Sequence, residues 1–474
     1  MSTVSVTDAP PQLNPRAWAV LGIVCAAIFL EGVDIAMLNV AVPAIASDIG
    51  LSTGSAHWVI SAYVLGYAGF MLLGGRSADL FGRRRVFLIS MLVFAAFSGL
   101  GGLASEAWML VMARFITGVA AGFMTPSGFS IVTSTFPQGP LRNRALSIYG
   151  ALGAGGFVLG MVAGGVLTTA SWRLVFFAPM VLSAALLAAG AAFIRRDGPR
   201  VSNGGFDIGG AVTATVGVVA TIYALVSFGE GEGAGVGFAS LAVAAASIAG
   251  FVVIESRSAH PMLRLSLLRR GALPLAGGSG LLFMAGFFSF QFAITLYLQD
   301  LRGWTPLETG MAFAIMGADL LLAPLLTPRL VQRFGTAPVM TAGFVAAAVA
   351  FGHALRIHGD WSYAGMLPSL LLVAVAFALV YGPLAAAATD GLDVAEHGTA
   401  GGVVNTAFQI GAALGLALVT VVLVDGHGDL AIADFRRALL VPTVFASLAT
   451  IVGLVAVRRR REVVEHNATS VRVP

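Results

Sequence analysis

Charged side chains are scarce in this chain of 474 residues, because Asp, Glu, Lys and Arg together make up only 11% of it. A soluble globular domain carries about 25% charged residues, so a water-soluble fold with a polar surface is excluded. Hydrophobic residues make up 58% of the sequence, and the mean hydropathy is +0.90. The composition therefore predicts an all-α integral membrane protein whose spans are about 20 residues long.

Lysine is absent altogether, so the 27 basic residues are all arginine, and with 23 acidic residues they give a net charge of +4. A phosphate-binding loop of the G-x-x-x-x-G-K-[ST] type needs a lysine, so direct use of ATP is excluded and energy must come from an ion gradient. The single cysteine, Cys25, rules out a disulfide framework. The histidines, such as His57 and His358, lie near span ends or in loops and lack the spacing of a metal site. We expect no metal, no cofactor, no nucleic-acid partner and no enzymatic activity.

Fourteen apolar runs are long enough to cross a bilayer. They lie near residues 17–42, 56–75, 85–104, 109–134, 143–167, 173–194, 206–228, 236–254, 273–298, 307–327, 338–355, 362–388, 399–424 and 438–457. The predicted protein is therefore an all-α bundle with 14 spans.

The arginines between these runs predict the orientation, because short cytoplasmic loops collect Arg. On the assumption of fourteen spans, most of them fall on one side: Arg16, Arg76, Arg83 to Arg85, Arg142, Arg144, Arg195, Arg196, Arg200, Arg257, Arg264, Arg269, Arg270, Arg329, Arg333 and Arg458 to Arg461. Arg436 and Arg437 are exceptions. Both termini are predicted to be cytoplasmic, in a multi-pass protein of the bacterial cytoplasmic membrane.

A partial internal repeat divides the chain. Asp79-Leu80-Phe81-Gly82 follows the second run, and Gln332-Arg333-Phe334-Gly335 follows the tenth. Repeated halves are how many transporters build alternating access around a site at mid-membrane. We expect a six-helix half over residues 1–200, a two-helix insert over 201–262, and a second six-helix half with a short cytoplasmic tail over 263–474.

Several motifs resemble those of one family. "VDIAMLNVAVP" contains Asp34, Asn39 and Pro43, "GGRSADLFGRRRVF" lies between the second and third runs, and "ARFITGVAAG" contains Arg114. "SWRLVFFAP", "YLQ", "GWTPLETG" and "GTAGGVVNTAFQIGAALGLA" follow along the chain. Together they resemble the major facilitator superfamily, specifically the fourteen-span drug:proton antiporters of EmrB/QacA type.

The resemblance implies a major facilitator fold of two six-helix halves plus two extra transmembrane helices. It also implies a secondary transporter that exports hydrophobic or cationic drugs by proton antiport, and we expect it to act as a monomer. Thr117 and Met161 depart from the family pattern, which has glutamine and proline there. Met161 keeps an uptake or facilitative carrier for a small organic solute open as an alternative. A membrane sensor or scaffold that transports nothing is a third reading.

The resemblance also suggests a mechanical role for the loop motif. Similar transporters use its residues as a latch at the inner gate, and here these are Gly75, Asp79, Gly82, Arg83 and Arg84. A role in membrane orientation alone is the simpler reading of the arginines. In the fifth run, small residues at Gly156, Gly160, Gly164 and Gly165 repeat on one helical face and predict close approach of a neighbouring helix.

Four ionisable residues lie inside apolar runs, where a charge costs roughly 2.5–3.5 kcal/mol on insertion scales and marks function. They are Glu31, Asp34, Arg114 and Asp319. Glu31 and Asp34 are three apart and share a helix face, and the resemblance places the first and fourth helices at the central cavity. We hypothesise that Arg114 holds one carboxylate ionised while the other exchanges a proton against cargo; a static ion network is the alternative. Of the two acids, Asp34 is favoured because the family motif includes it, whereas Glu31 rests on its position alone. Asp319 is either a second protonation site or a buried, hydrogen-bonded acid.

The ninth run is crowded with aromatic residues, namely Phe283, Phe287, Phe288, Phe290 and Phe292. Phenylalanine in a span usually faces lipid. If some of these rings face inward instead, they would give a pocket suited to lipophilic molecules, cations especially.

Overall fold

The computed structural model describes residues 15–51, 53–136, 140–196, 207–229, 234–258, 261, 265–269, 272–390, 392, 397–424 and 431–470. Every regular element in this part of the chain is helical. We number the long helices α1 (Pro15–Ile49), α2 (Trp58–Phe81), α3 (Arg83–Gly102), α4 (Ala107–Thr135), α5 (Pro140–Ala170), α6 (Leu174–Phe193), α7 (Ile208–Gly229), α8 (Ala234–Arg257), α9 (Leu273–Leu296), α10 (Pro306–Phe334), α11 (Thr336–Ala354), α12 (Tyr363–Thr389), α13 (His397–Val424) and α14 (Leu440–Ser470).

Shorter turns modify this pattern. Helices of one or two turns cover Thr53–Ala56 and Ile432–Ala438, and a 3₁₀ turn covers Leu265–Arg269. The 3₁₀ turn Ala314–Ala318 interrupts α10 just before Asp319, and a π turn at Tyr297–Leu301 extends α9.

Twelve helices in the described ranges are long and apolar enough to cross a membrane. The predicted count of fourteen is therefore not confirmed. The difference lies in α2 and α7, whose apolar parts, Trp58–Met71 and Ile208–Ala224, are shorter. In α2 the later turns carry Arg76 and Asp79.

Helix packing repeats between α1–α6, which we call the first half, and α9–α14, the second half. α1 packs on α5 as α9 packs on α13, and α3 packs on α4 and α6 as α11 packs on α12 and α14. α2 packs on α4, and α10 packs on α12. The halves meet where α5 contacts α10 and where α2 contacts α13.

The hairpin of α7 and α8 lies outside this repeat. α7 packs against α2 of the first half and α13 of the second, while α8 packs mainly on α7. Thr215 of α7 donates a hydrogen bond from Oγ1 to the carbonyl oxygen of Gly69 in α2, at 2.7 Å. Val219 fills the space beside the same glycine.

The turns that carry the sequence repeat have matching backbones. Gly82 joins α2 to α3 with φ +97°, and Gly335 joins α10 to α11 with φ +87°. Both values lie in a region that favours glycine. We call the end of the bundle that holds these two turns the basic face, after Arg83 to Arg85, and the other end the opposite face.

Glycines bring α1 and α5 into backbone contact. A β-carbon at Gly156 would collide with the carbonyl oxygen of Phe29, and one at Gly160 would lie 2.7 Å from the Cα of Val33. Gly164 meets Met37 in the same way. Gly165 differs from the prediction of one shared face, because it meets Pro306 of α10. Gly156, Gly160 and Gly164 therefore admit the backbone of α1, and Gly165 admits the backbone of α10 in the second half.

We predict that Gly156→Ala destabilises the bundle by about 1–3 kcal/mol, because the added methyl group forces α1 and α5 apart. Gly22→Ala is the matched control, since within the described part of the chain a β-carbon at Gly22 of α1 meets no atom within 4 Å. Thermal unfolding of the detergent-purified variants measures the difference. Equal melting temperatures for the two variants would contradict the close packing.

Candidate functional site

An ion pair is buried between α1 and α4. Arg114 Nη1 lies 2.7 Å from Asp34 Oδ2, and the two side chains are 2% and 0% exposed. Arg114 Nε also donates to the carbonyl oxygen of Val59, at 3.2 Å, and its guanidinium lies 4.4 Å from the ring centroid of Tyr63. Asp34 Oδ1 accepts no hydrogen bond from the described residues. The pair therefore ties α1 to α2 and α4 at one point.

Glu31, one turn before Asp34, has different partners. Its Oε2 accepts a short hydrogen bond from Thr125 Oγ1 of α4. The hydroxyl of Tyr67 donates to Thr125 Oγ1 at 3.1 Å. Hydroxyl groups, which exchange donor and acceptor roles freely, thus surround Glu31, whereas a guanidinium holds Asp34.

A cavity of about 220 Å³ lies between the two halves. Glu31 lines it and Asp34 does not. No arginine is among its described lining residues, which are Ile28, Glu31, Gly32, Ile35, Tyr67, Thr125, Tyr149, Gly150, Gly153, Phe157, Met161, Met284, Phe287, Phe288, Met316, Asp319, Val373, Phe377, Tyr381, Asn405, Phe408 and Gln409. The cavity is consequently apolar and aromatic, with two carboxyl groups in its wall.

Asp319 supplies the second of these carboxyl groups. It starts the last helical segment of α10, directly after the 3₁₀ turn, and is 7% exposed. Its Oδ1 accepts no hydrogen bond within the described part of the chain. Glu31 from the first half and Asp319 from the second therefore lie on one cavity.

The phenylalanines of α9 do not face lipid, so the usual interpretation of aromatic residues in a span is wrong here. All five are buried. Phe287 and Phe288 line the cavity, and the ring centroid of Phe287 lies 5.5 Å from that of Phe157 in the first half and 4.9 Å from that of Phe377. These edge-on and tilted contacts are the geometry that aromatic pairs prefer.

The residues of the loop motif contact their own half. Arg84 donates from Nε to the carbonyl oxygen of Ile194 at 2.9 Å, and Arg83 donates to that of Ser130 at 3.4 Å. The nearest atom to a β-carbon at Gly75 would be Cβ of Pro126 in α4, at 3.7 Å, so tight packing of Gly75 against the second half is not observed. The side chain of Asp79 lies outside the described residues.

Several polar residues of the site were not among those predicted from sequence. Tyr63 and Tyr67 are four apart on α2 and contact Arg114 and Thr125, respectively. Gln291 of α9 is fully buried and points its Nε2 at Met161 Sδ, 3.1 Å away, across the two halves. The sequence signal that could have identified these residues is a hydroxyl or amide group inside an apolar run. His57 lies at the start of α2, near a span end as predicted, and is buried there.

Two packed repeats of membrane helices around a central cavity are the architecture of many membrane transporters. The sequence pattern of the Major Facilitator Superfamily matches residues 24–416 and again residues 276–471. The chain belongs to this superfamily and is a multi-pass membrane protein. The family match points to a transporter rather than an enzyme.

Similar proteins include one named for puromycin resistance and one named for cephamycin export. The chain is 32% identical to "Puromycin resistance protein pur8" of Streptomyces alboniger, over 89% of this chain and 85% of that protein. It is 32% identical to "Cephamycin export protein CmcT" of Amycolatopsis lactamdurans, over 86% of each. Among solved structures, the POT family transporter PepTSo has the same fold, with a TM-score of 0.69 at 16% identity over 95% of this chain and 99% of that one.

We predict that Asp34→Asn and Arg114→Gln each destabilise the protein by about 3–5 kcal/mol, because each leaves a buried partner unpaired. The double variant should be less destabilised than the sum of the two. Thermal unfolding of the four proteins gives the coupling. The exposed pair of Asp48 and Arg173, 2.9 Å apart, is the control, and its removal should leave the unfolding unchanged. If the destabilisation of the double variant at the buried pair equals the sum of the two single variants, the prediction is contradicted.

Proposed function

We propose that this protein exports small hydrophobic or cationic drugs across the bacterial cytoplasmic membrane by proton antiport with alternating access. The observation that carries the proposal is the aromatic cavity between the halves, with Glu31 and Asp319 in its wall and no arginine among its described lining residues. Apolar walls favour lipophilic cargo, and carboxylates near aromatic faces favour cations. The similarity to proteins named for puromycin resistance and cephamycin export supports the direction outward.

The two carboxylates of α1 have different roles in this proposal. Arg114 holds Asp34 as a fixed anion, because the guanidinium lies 2.7 Å from the carboxylate, and neither residue lines the cavity. Glu31 is the group that exchanges a proton, since it reaches the cavity and has only hydroxyl partners among the residues described. A cationic cargo beside Glu31 favours loss of its proton, and protonation favours release of the cargo. Asp319 is a second acid that contacts cargo or takes a proton.

The remaining topology is also part of the proposal. Fourteen spans, formed by the halves 1–200 and 263–474 with the insert 201–262, are supported by the repeated packing and by α7 lying between α2 and α13. The boundaries near 200 and 262 fall outside the described residues. With an even number of spans the termini share one side, and the distribution of the arginines supports a cytoplasmic position for that side. We propose that the transporter acts as a monomer.

Transport into everted membrane vesicles tests the function. An acidified lumen should drive a cationic dye or antibiotic inward, and adding the compound to energised vesicles should release protons. A potential of 100 mV supplies about 2.3 kcal/mol per charge, which is about a fifty-fold concentration ratio. Movement of the compound in the reverse direction would indicate an uptake carrier. Absence of proton release with every compound that accumulates would contradict proton coupling.

Glu31→Gln should reduce the proton-driven accumulation at least about tenfold, because the amide keeps the shape and the hydrogen bond to Thr125 but cannot bind and release a proton. Membrane insertion and thermal unfolding should be unchanged. Glu106→Gln is the control, since Glu106 is exposed and lies in the loop between α3 and α4. Full proton-coupled transport by Glu31→Gln would remove Glu31 from the mechanism.

Asp79→Asn tests the proposed latch on the basic face. A carboxylate that meets the N-terminus of a neighbouring helix is stabilised by the dipole of that helix by roughly 0.3–1 kcal/mol, enough to bias two conformers of similar energy. We expect the variant to insert normally and to lose transport. The measurement is vesicle transport normalised to the amount of protein in the membrane. Normal transport by a well-expressed variant would leave Arg83 to Arg85 with a role in orientation only.

A further inference from the structure

Two sequence motifs have no role in the mechanism above, yet both lie on the opposite-face side of the cavity. Tyr297-Leu298-Gln299 forms the π turn at the end of α9, where Arg302 N donates to the carbonyl oxygen of Tyr297 at 3.0 Å. Gly303 to Gly310 forms the following loop and the first turns of α10. Isolated π turns within helices frequently mark functional positions.

The π turn directs Gln299 toward the first half. Its Nε2 donates a hydrogen bond to the carbonyl oxygen of Val40 in α1, at 2.9 Å. Pro43 lies inside α1 and has no amide hydrogen, so the backbone ladder of α1 is interrupted beside this acceptor. A side chain of the second half therefore holds the backbone of the first at a point where that helix is weakened.

The helices α5 and α10 cross at the same level through glycines. A β-carbon at Gly310 would lie 2.5 Å from the carbonyl oxygen of Met161, and one at Gly165 would lie 2.7 Å from that of Pro306. Each helix thus contributes a glycine that admits the backbone of the other. This contact joins the two halves, because α5 and α10 belong to different halves.

Toward the basic face the same helices are farther apart. At Gly155 of α5 the nearest heavy atoms to a β-carbon are the methyl groups of Leu320, at 3.8 and 3.9 Å. At Gly150, which lines the cavity, a β-carbon would meet no atom of the described residues within 4 Å. The crossing therefore closes the cavity on its opposite-face side.

We propose that Gln299, Gly165 and Gly310 form a seal that closes the opposite face, and that it must open for cargo to leave on that side. The hydrogen bond of Gln299 to Val40 and the two glycine contacts stabilise the closed conformer over one that opens to the opposite face. This inference rests on the alternating access of the proposed function, and Gln299 acts as a positioning residue that does not touch cargo.

Double electron–electron resonance on the purified full-length protein in lipid nanodiscs tests the seal without any cargo. In a Cys25→Ala background, spin labels at Ser105 and Asp360 report on the opposite face, and labels at Arg196 and Gln332 report on the basic face; all four positions are exposed. Each pair has one label in each half.

Gln299→Leu removes the donor, and Gly310→Ala adds a methyl group against Met161. Each should lengthen the distance between labels at Ser105 and Asp360 and shorten that between Arg196 and Gln332, with at least about a fivefold change in the conformer ratio. Gly352→Ala in α11 is the control, because a β-carbon there meets no atom within 4 Å. It should give the distances of the parent protein.

Unchanged distances in folded Gln299→Leu protein overturn the seal, whatever Gly310→Ala does. If Gly310→Ala fails to fold, the distances in Gln299→Leu alone decide the test. This test does not depend on the proposed function. The change in label distances can be measured even in a protein that moves no drug in vesicles. Conversely, drug export by a protein without the shift would leave the function intact and refute the seal.

Discussion

The ion pair of Asp34 and Arg114 is the constraint on which the arrangement of the first half depends. Both side chains are almost completely buried, and removing one partner of such a pair leaves an uncompensated charge at a cost of about 3–5 kcal/mol. The register of α1 against α4 is therefore fixed at this point. Because Glu31 is one turn away on the same helix, the pair also determines where Glu31 meets Thr125 and the cavity.

Helix packing on α5 and the chemistry of α1 reinforce each other. Gly156 and Gly160 let the backbone of α1 approach α5 closely, and α5 then contacts α10 of the other half through Gly165. A displacement of α10 is thus transmitted to the helix that carries both acids through backbone contacts, which are stiffer than contacts between long side chains. The cavity and the crossing on its opposite-face side consequently share two helices, α5 and α10.

Much of the fold was predictable from sequence, because apolar runs of about 20 residues separated by arginine-rich turns have few alternatives in a bilayer. The spacing of Gly156, Gly160 and Gly164 likewise pointed to a close helix neighbour. The choice of Asp34 over Glu31 as the partner of Arg114 was not predictable, since the two share a face and the height of Arg114 along α4 decides between them. The phenylalanines of α9 were misjudged because this helix is apolar all round, a pattern that marks a buried helix as well as a lipid-facing one. No local sequence pattern predicts that α7 packs between α2 and α13 either.

The two glycine turns on the basic face show what the halves still have in common. Gly82 and Gly335 bend the chain alike, but the residue three positions earlier is an acid, Asp79, in one and the neutral Gln332 in the other. The two turns thus have similar backbone conformations and differ in charge. An acidic side chain at this position is therefore available to the first half only, so a contact that depends on it cannot be repeated by the second half, and exchanging the two turns would keep the backbone geometry but move the acid to the other half.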